Sequence, residues 1–270
     1  TETLSDELVA YPVRALSATL DRDDPAPAPG DALPPLWHWL YFLPHALQSE
    51  IGEDGHPQRG GFLPPVPLPR RMWAGGRLHW HQPLKLGETV RRVSRIESVK
   101  HKAGRSGDLL FVLVRHELHT PAGLALTEEH DIVYRAMPVP GEAASPPTPA
   151  PEGAVWTRGL QPDEVLLFRY SALTFNGHRI HYDRRYVTEV EGYPGLVVHG
   201  PLIATLLLDL LRRERPDAVV RRFSFKAVRP TFDLHPMRLN AQPSDDGRSV
   251  RLWAEDHEGW LTMTADAELA

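Results

Sequence analysis

The feature that most constrains the fold is a short segment that is apolar on nearly every side. Residues 202–211 read LIATLLLDLL, Gly200 and Pro201 stand before them as a helix start, and Pro216 ends the helix. The run is well short of the roughly 20 residues that cross a bilayer. A helix that is apolar all round must be buried in a globular protein, so we expect a sheet to wrap around it.

Strand-like runs in both halves of the chain could supply that sheet. They lie at 90–99, 109–119 and 124–135 in the first half, and at 219–228, 236–241, 249–254 and 261–269 in the second. Turn-like sequences separate the first-half runs, which predicts antiparallel pairing. Residues 36–43, LWHWLYFL, predict an apolar helix in the first half. We therefore predict an α+β fold in which a helix wrapped by a curled antiparallel sheet occurs twice, a double hot-dog.

Proline marks the predicted domain boundary. Residues 137–154 are rich in proline and have no apolar periodicity, which predicts a stiff, extended linker. The linker separates a first hot-dog at 33–136 from a second at 155–270. Residues 1–32, which are rich in proline and acidic side chains, are predicted to form a peripheral segment.

Composition narrows the classes of function. The 270-residue chain has a formal net charge of -5, and its basic residues are dispersed, so we expect no nucleic-acid partner. The absence of cysteine excludes disulfides, thiolate nucleophiles and thiolate metal sites. We expect a cytoplasmic protein without a membrane partner, because no apolar run is long enough and the acidic N-terminus does not resemble a signal peptide. The sequence leaves open whether two chains associate as a homodimer.

Residues 170–183, YSALTFNGHRIHYD, are the strongest candidate for a functional site. They combine His178 and His181 with other polar side chains between apolar flanks, and residues 197–202, VVHGPL, then start the apolar helix. A helix N-terminus presents unpaired N–H donors, and an imidazole carries a proton near neutral pH. Together these groups suit chemistry at a carbonyl that passes through an oxyanion.

The same residues resemble the hydratase signature of MaoC-like enzymes, in which an aromatic and a small polar residue lead to Gly-Asp-x-Asn-Pro-Ile-His-x-Asp. His181 falls on the catalytic histidine of that signature, Asn176 on its catalytic aspartate and Phe175 on its glycine. Gly200 matches the glycine whose N–H forms the oxyanion hole. Residues 173–181 and 60–76 are similar to the two-hot-dog 3-methylfumaryl-CoA (mesaconyl-C4-CoA) hydratases, and itaconyl-CoA hydratases and mitochondrial-type 3-hydroxyacyl-thioester dehydratases are near relatives.

This resemblance implies a hydro-lyase that adds water to a short branched unsaturated dicarboxylyl-CoA, 3-methylfumaryl-CoA giving citramalyl-CoA. CoA would be part of the substrate, with no cofactor. The second half would carry the single site, while the non-catalytic first half would shape the acyl pocket. A fatty-acid-type dehydratase, a hot-dog thioesterase and a non-catalytic acyl-CoA-binding protein are the alternatives.

Roles follow for the motif residues, each with a simpler alternative. His181 would take the proton of water, or else be a structural histidine bonded to backbone. Asn176 would hold the attacking water through its amide oxygen, or else close a local turn. Gly200 would donate its N–H to the thioester oxygen, or else be needed for a tight turn. Asp183 is predicted to cap a following short helix.

A free carboxylate on the acyl group requires a cation, and the arginine fork fits it best. Arg179 is the first candidate and Arg71 the second, with His178 and His199 as further substrate contacts. No metal is expected, since nothing near His178 and His181 in the sequence completes a ligand set. For the CoA phosphates the candidates are Arg221, Arg222, Lys226 and Arg229.

Overall fold

The computed structural model describes residues 1–58, 60–104, 107–136 and 146–270. Within these residues ten strands form one sheet, and every neighbouring pair is antiparallel, in the order β1-β3-β4-β5-β2-β7-β10-β9-β8-β6. The strands are β1 (Glu2–Glu7), β2 (Arg70–Trp80), β3 (Thr89–Gly104), β4 (Gly107–Thr120), β5 (Gly123–Arg135), β6 (Trp156–Leu160), β7 (Val220–Ala227), β8 (Met237–Pro243), β9 (Ser249–Glu255) and β10 (Leu261–Leu269). The helices are α1 (Ala10–Thr19), α2 (Glu164–Leu173), α3 (Arg184–Glu189) and α4 (Gly200–Glu214).

Helix α4 is the buried apolar helix, as predicted. Every residue from 202 to 211 is buried, including Asp209. The Asp209 carboxylate is offset by three guanidinium groups, those of Arg22 and Arg158 at 2.8 Å and that of Arg213 at 2.7 Å. Buried charge of this kind persists only when it is paired. Among the described residues no helix is both long and apolar enough to cross a membrane.

The two halves of the chain join where β2 pairs with β7, from Gly75↔Lys226 to His79↔Arg222. Glycine is required at this junction, because a Cβ on Gly75 would lie 2.5 Å from the carbonyl oxygen of Phe225. The predicted strands and their antiparallel pairing are confirmed. The proposed domain boundaries stay a prediction, and residues 137–145 of the proposed linker lie outside the described residues.

The predicted first-half helix at 36–43 is wrong. The segment is buried, but it forms only a 3-10 turn at Trp37–Leu40. Leu36 and Phe42 have left-handed backbone, with φ of 69° and 54°, and this conformation ends a right-handed helix on both sides. One face of β3, β4 and β5 therefore has no long helix packed against it among the described residues.

That face instead carries a polar cluster around Glu128, a carboxylate only 3% exposed. It accepts hydrogen bonds from Trp39 Nε1 at 2.8 Å, and it pairs with His38 Nε2 at 2.9 Å and His130 Nε2 at 2.6 Å. The histidines and their hydrogen bonds hold the pKa of Glu128 well below its usual range, in spite of burial. The cluster is thus a fully bonded polar core where a second apolar helix was expected.

The predicted peripheral position of residues 1–32 is also wrong for much of that segment. Strand β1 pairs with β3 along its whole length, and Leu8 and Leu16 are buried in the main core. Arg22 reaches the buried Asp209 of α4. The acidic, proline-rich composition hid a regular spacing of apolar residues at Leu8, Val13, Leu16 and Leu20.

Candidate active site

The candidate motif begins at the end of α2 with a sharp reversal of the chain. Asp163 caps the start of this helix, its Oδ1 accepting from Leu166 N at 2.8 Å. Phe175, just beyond the helix end, has φ of 48°, a left-handed conformation that favours glycine. The MaoC-like signature has glycine at this position, so the backbone supports aligning the motif without gaps. The Phe175 ring is 61% exposed and lies at the edge of a cleft.

His181 is held as a neutral base. Its Nδ1 lies 2.6 Å from the Val197 carbonyl oxygen, and since a carbonyl can only accept, Nδ1 carries the proton and Nε2 has a free lone pair. Burial lowers the pKa of His181 to about 4, so the ring is neutral at neutral pH. This geometry fixes the tautomer that can accept a proton from water.

His199 supports His181 from behind. The two rings stack with centroids 3.7 Å apart, and His199 Nε2 lies 2.8 Å from Ser171 Oγ. His199 is only 1% exposed and, like His181, lies behind the residues that line the cleft, so its predicted contact with substrate stays a prediction. Burial lowers its pKa well below the usual value, so this stack adds no charge beside His181 at neutral pH.

Gly200 is the first residue of α4, and its N–H belongs to the turn whose donors have no partner within the helix. The following Pro201 has no N–H and lines the cleft. Because Pro201 has no N–H, the N–H of Gly200 is the backbone donor at the very start of α4. The polarity of the helix favours negative charge there, as an oxyanion requires. Its part in an oxyanion hole stays a prediction.

Asn176 lines the cleft, but its amide oxygen already accepts from His178 N at 3.0 Å. The simpler alternative, a local turn, is thus present. A carbonyl oxygen has two lone pairs, so one acceptor position remains for a water molecule. The predicted water-holding role remains a prediction, and an amide cannot take the proton of that water.

The cleft has a volume of about 1320 Å³ and is lined by both halves of the chain. Volumes of this order accommodate large organic ligands. The first half contributes Trp39, Arg71, Trp73 and His130, and the second contributes Tyr170, Ser171, Asn176 and Pro201. His181 lies behind this lining and is 8% exposed. Both halves therefore shape one site.

Arg179, the first candidate for the substrate carboxylate, is already engaged. Its guanidinium pairs with Asp183 at 2.7 Å, donates to the Glu53 carbonyl oxygen at 3.0 Å and stacks on the Tyr186 ring at 4.1 Å. Its predicted contact with substrate does not fit this arrangement, because the carboxylate of Asp183, four residues further on, neutralises the guanidinium. Asp183 also caps α3 as predicted, accepting from Tyr186 N at 3.0 Å.

Arg71 has the opposite environment. It is half-buried on β2 and lines the cleft. Within the described parts of the chain, no carboxylate lies within 4.0 Å of its guanidinium. Its positive charge lowers the pKa of both His56 and His178, which places it on the motif side of the cleft. It is the better candidate for a substrate carboxylate.

The four residues predicted to bind CoA phosphates are not gathered in one place. Arg221 lines a second cavity of about 560 Å³ near the C-terminal end of α4. Arg222 and Arg229 lie 3.6 Å from Glu268 and Asp256, and Lys226 is exposed on β7. Their role stays a prediction.

One part of the site, the loop at 52–57, was not predicted from the sequence. Asp54 Oδ2 lies 3.1 Å from His56 Nδ1, and the His56 ring packs against the His178 ring with centroids 4.0 Å apart and an angle of 40° between the planes. Asp54, His56 and His178 bring atoms that could bind a metal within 4.8 Å of one another. His178 therefore has further ligand groups beside it in space, although none stands near it in the sequence. The Asp54–His56 hydrogen bond occupies His56 Nδ1, so His56 Nε2 is the ring nitrogen left to accept a proton or bind a ligand. No signal local to the motif could have revealed this long-range contact.

Comparison with known proteins places this geometry in a family. The family model for hydroxyacyl-thioester dehydratase type 2 matches residues 36–233. The mesaconyl-C(4)-CoA hydratase of Chloroflexus aurantiacus is 48% identical over 269 residues, covering 100% of this chain and 95% of that protein.

Solved structures agree on the fold. A MaoC-like dehydratase superposes with a TM-score of 0.72 at 13% identity, covering 99% of this chain and 96% of that one. A Mycobacterium tuberculosis protein described as a double hotdog fold superposes with a TM-score of 0.58 at 14% identity, covering 100% and 96%. The chain has the double hot-dog fold and belongs to the hydroxyacyl-thioester dehydratase type 2 family.

Proposed function

We propose that this enzyme hydrates 3-methylfumaryl-CoA (mesaconyl-C4-CoA) to citramalyl-CoA. The observation that carries the proposal is the neutral His181, whose Nε2 is left free by the bond from Nδ1 to the Val197 carbonyl, close to the start of α4. The 48% identity to a mesaconyl-C(4)-CoA hydratase supports this choice of substrate.

The reaction adds water at Cβ and a proton at Cα, and negative charge develops on the thioester oxygen between these events. His181 Nε2 accepts a hydrogen bond from the attacking water and holds it beside the double bond. The N–H of Gly200 donates to the thioester oxygen, where the N-terminus of α4 stabilises the developing charge. Arg71 binds the free carboxylate of the acyl group, which orients the double bond.

A spectrophotometric assay tests the proposal. Loss of the enoyl-thioester absorbance is followed with 3-methylfumaryl-CoA, itaconyl-CoA, crotonyl-CoA and a long straight-chain enoyl-CoA. We expect the highest kcat/KM with 3-methylfumaryl-CoA. No turnover of any enoyl thioester would refute the hydratase function, while a preference for itaconyl-CoA would refute only the choice of substrate.

The cation is tested separately. Arg71→Met should lower kcat/KM for 3-methylfumaryl-CoA about 10- to 100-fold, since a hydrogen bond to a charged group contributes roughly 1.5–3 kcal/mol. Crotonyl-CoA lacks the carboxylate, so its kcat/KM should change little. Arg185→Met is a suitable control, because Arg185 is exposed on α3 and pairs only with Glu189 among the described residues. Equal losses on both substrates would remove Arg71 from carboxylate binding.

A fatty-acid-type dehydratase is the second candidate. The family is that of hydroxyacyl-thioester dehydratases, and the cleft of about 1320 Å³ leaves room for more than a short acyl group. Faster turnover of the long straight-chain enoyl-CoA than of 3-methylfumaryl-CoA would establish this alternative.

A further inference from the structure

Hydration leaves one proton to be handled that the motif does not account for. Water loses a proton when its oxygen attacks Cβ, and a proton must then arrive at Cα. Asn176 stands where the MaoC-like signature has a carboxylate, and an amide does not titrate. Among the described residues, the hydrogen-bond partner of His181 Nδ1 is a backbone carbonyl and not a carboxylate, and the low pKa of His181 disfavours a lasting positive charge on that ring.

A second imidazole faces the same region from the first half of the chain. His56 lines the cleft, and its ring packs on His178, which in turn meets His181 edge-on with centroids 5.4 Å apart. Asp54 Oδ2 lies 3.1 Å from His56 Nδ1, and Asp54 Oδ1 accepts from His56 N at 3.0 Å. Because a carboxylate only accepts, Nδ1 carries the proton and Nε2 is the basic atom.

The loop that carries this pair is fixed to the motif by backbone contacts. Arg179 N donates to the Asp54 carbonyl oxygen at 2.9 Å, and Gly52 N donates to the His56 carbonyl oxygen at 2.7 Å. Gly55 and Gly177 pack backbone to backbone, since a Cβ on Gly55 would lie 1.8 Å from the Gly177 oxygen. The position of His56 relative to the motif is thus set by the fold.

We propose that His56, supported by Asp54, is the group that takes the proton from water and delivers it to Cα, the part that aspartate fills in the MaoC-like signature. This inference rests on the proposed hydratase function. The attacking water is held between His181 Nε2 and His56 Nε2. Its O–H bond breaks as the Cβ–O bond forms, and the proton moves to His56 Nε2 while the π electrons shift towards the thioester oxygen. The His56 N–H bond then breaks as the Cα–H bond forms, which returns His56 to its neutral form.

Charge explains why the proton goes to His56. The imidazolium formed there faces the Asp54 carboxylate, whereas His181 Nδ1 is bonded to the uncharged backbone carbonyl of Val197. Burial is the main influence lowering the pKa of His56, nearby Arg71 lowers it further, and Asp54 opposes both. His178, packed on His56, is also kept neutral by burial. His56 therefore starts the reaction neutral and is charged only transiently.

The test uses the full chain and the panel substrate that it hydrates fastest. His56→Gln should lower kcat by the 10²–10⁴-fold typical of a lost acid–base group, with KM changed only a few-fold. His45→Gln is the matched control, because His45 is an exposed histidine before the same loop and does not line the cleft. Circular dichroism and thermal melting show whether each variant is folded.

Asp54→Asn tests the positioning role. It should lower kcat by about ten-fold or more. It should also move the acid limb of the kcat/KM profile to lower pH, because removing the carboxylate lowers the pKa of His56. Asp54→Glu should restore part of the turnover. A purely structural role would leave the acid limb where it is, and that result would overturn the assignment of Asp54.

Three further results overturn the proposal or its premise. A folded His56→Gln variant that keeps more than a tenth of the turnover removes His56 alone and leaves the hydratase function intact. Loss of wild-type activity in EDTA, restored by Zn²⁺, would mean that Asp54, His56 and His178 bind a metal instead. A wild-type protein that hydrates no enoyl thioester fails as a hydratase, and the role of His56 fails with it.

Discussion

The state of His181 can be tested through the pH dependence of stability. Its pKa is about 4 in the folded protein, against about 6.5 in the unfolded chain. The folded state therefore binds fewer protons than the unfolded state between these values. The full contribution to stability is present above about pH 6.5 and is lost progressively as the pH falls to about 4. At 1.36 kcal/mol for each tenfold change in affinity, the loss is roughly 3 kcal/mol.

His181→Gln isolates this effect. A glutamine amide can still donate to the Val197 carbonyl oxygen, but it does not titrate. Urea denaturation of both proteins at about pH 7.5 and about pH 4 gives the two free energies of unfolding. We expect wild type to lose roughly 3 kcal/mol more than His181→Gln over this range. Equal losses in both proteins would show that His181 titrates normally, and the argument for a buried neutral base would be wrong.

Activity provides an independent check on the same residue. Because His181 stays neutral well below pH 6.5, its own titration should not reduce turnover near pH 6.5 and should do so only towards about pH 4. His181→Gln should lower kcat at least 10²-fold at neutral pH. A folded variant that retains more than a tenth of wild-type turnover would remove His181 from the mechanism.

Three more predictions concern neighbouring positions. Asn176→Asp should keep measurable hydration and exceed Asn176→Ala, and equal near-normal rates for both would mean that Asn176 has no role in holding water. Phe175→Gly should leave the free energy of unfolding unchanged or raise it by up to about 1 kcal/mol, because relief of left-handed strain of roughly 1–2 kcal/mol outweighs the entropy cost of glycine. A free energy of unfolding that falls by more than about 1 kcal/mol in urea would contradict this reasoning. Glu128→Ala should lower the free energy of unfolding in urea by about 3–5 kcal/mol, because it leaves the buried His38 and the partly buried Trp39 and His130 without their acceptor. A change below about 1 kcal/mol would show that the cluster does not stabilise the fold.

The parts of the fold that were predictable are those encoded by local pattern. An all-round apolar run can only be a core helix, and α4 is one. The turn-like sequences between the strand-like runs also predicted the antiparallel pairing of β3 with β4 and of β4 with β5. The prediction of a first-half helix failed because Leu36 and Phe42 are as apolar as helix residues, and the apolar pattern does not show that their backbone is left-handed.

The site divides in the same way. The motif and Gly200 were visible as a continuous stretch of sequence, and so was the carboxylate of Asp183 that engages Arg179. The loop with Asp54 and His56 was not, because its position depends on two glycine backbones meeting across the halves of the chain. Local periodicity holds no information about such a contact.

The short 3-10 turn that replaces a helix in the first half leaves room inside the protein for a ligand. A helix of 15 residues, the length of α4, would occupy roughly 1,800 Å³ as a cylinder about 10 Å wide. The cleft, which is lined in part by β2, β3 and β5 of the half without such a helix, measures about 1320 Å³. The volume of the cleft is thus of the same order as the volume of one such helix. A dimer of two identical subunits could not replace one of its helices by a cleft, because both subunits would then lose the helix that forms the core. A chain with two unequal halves can keep the buried helix in one half and use the space of the other half for substrate.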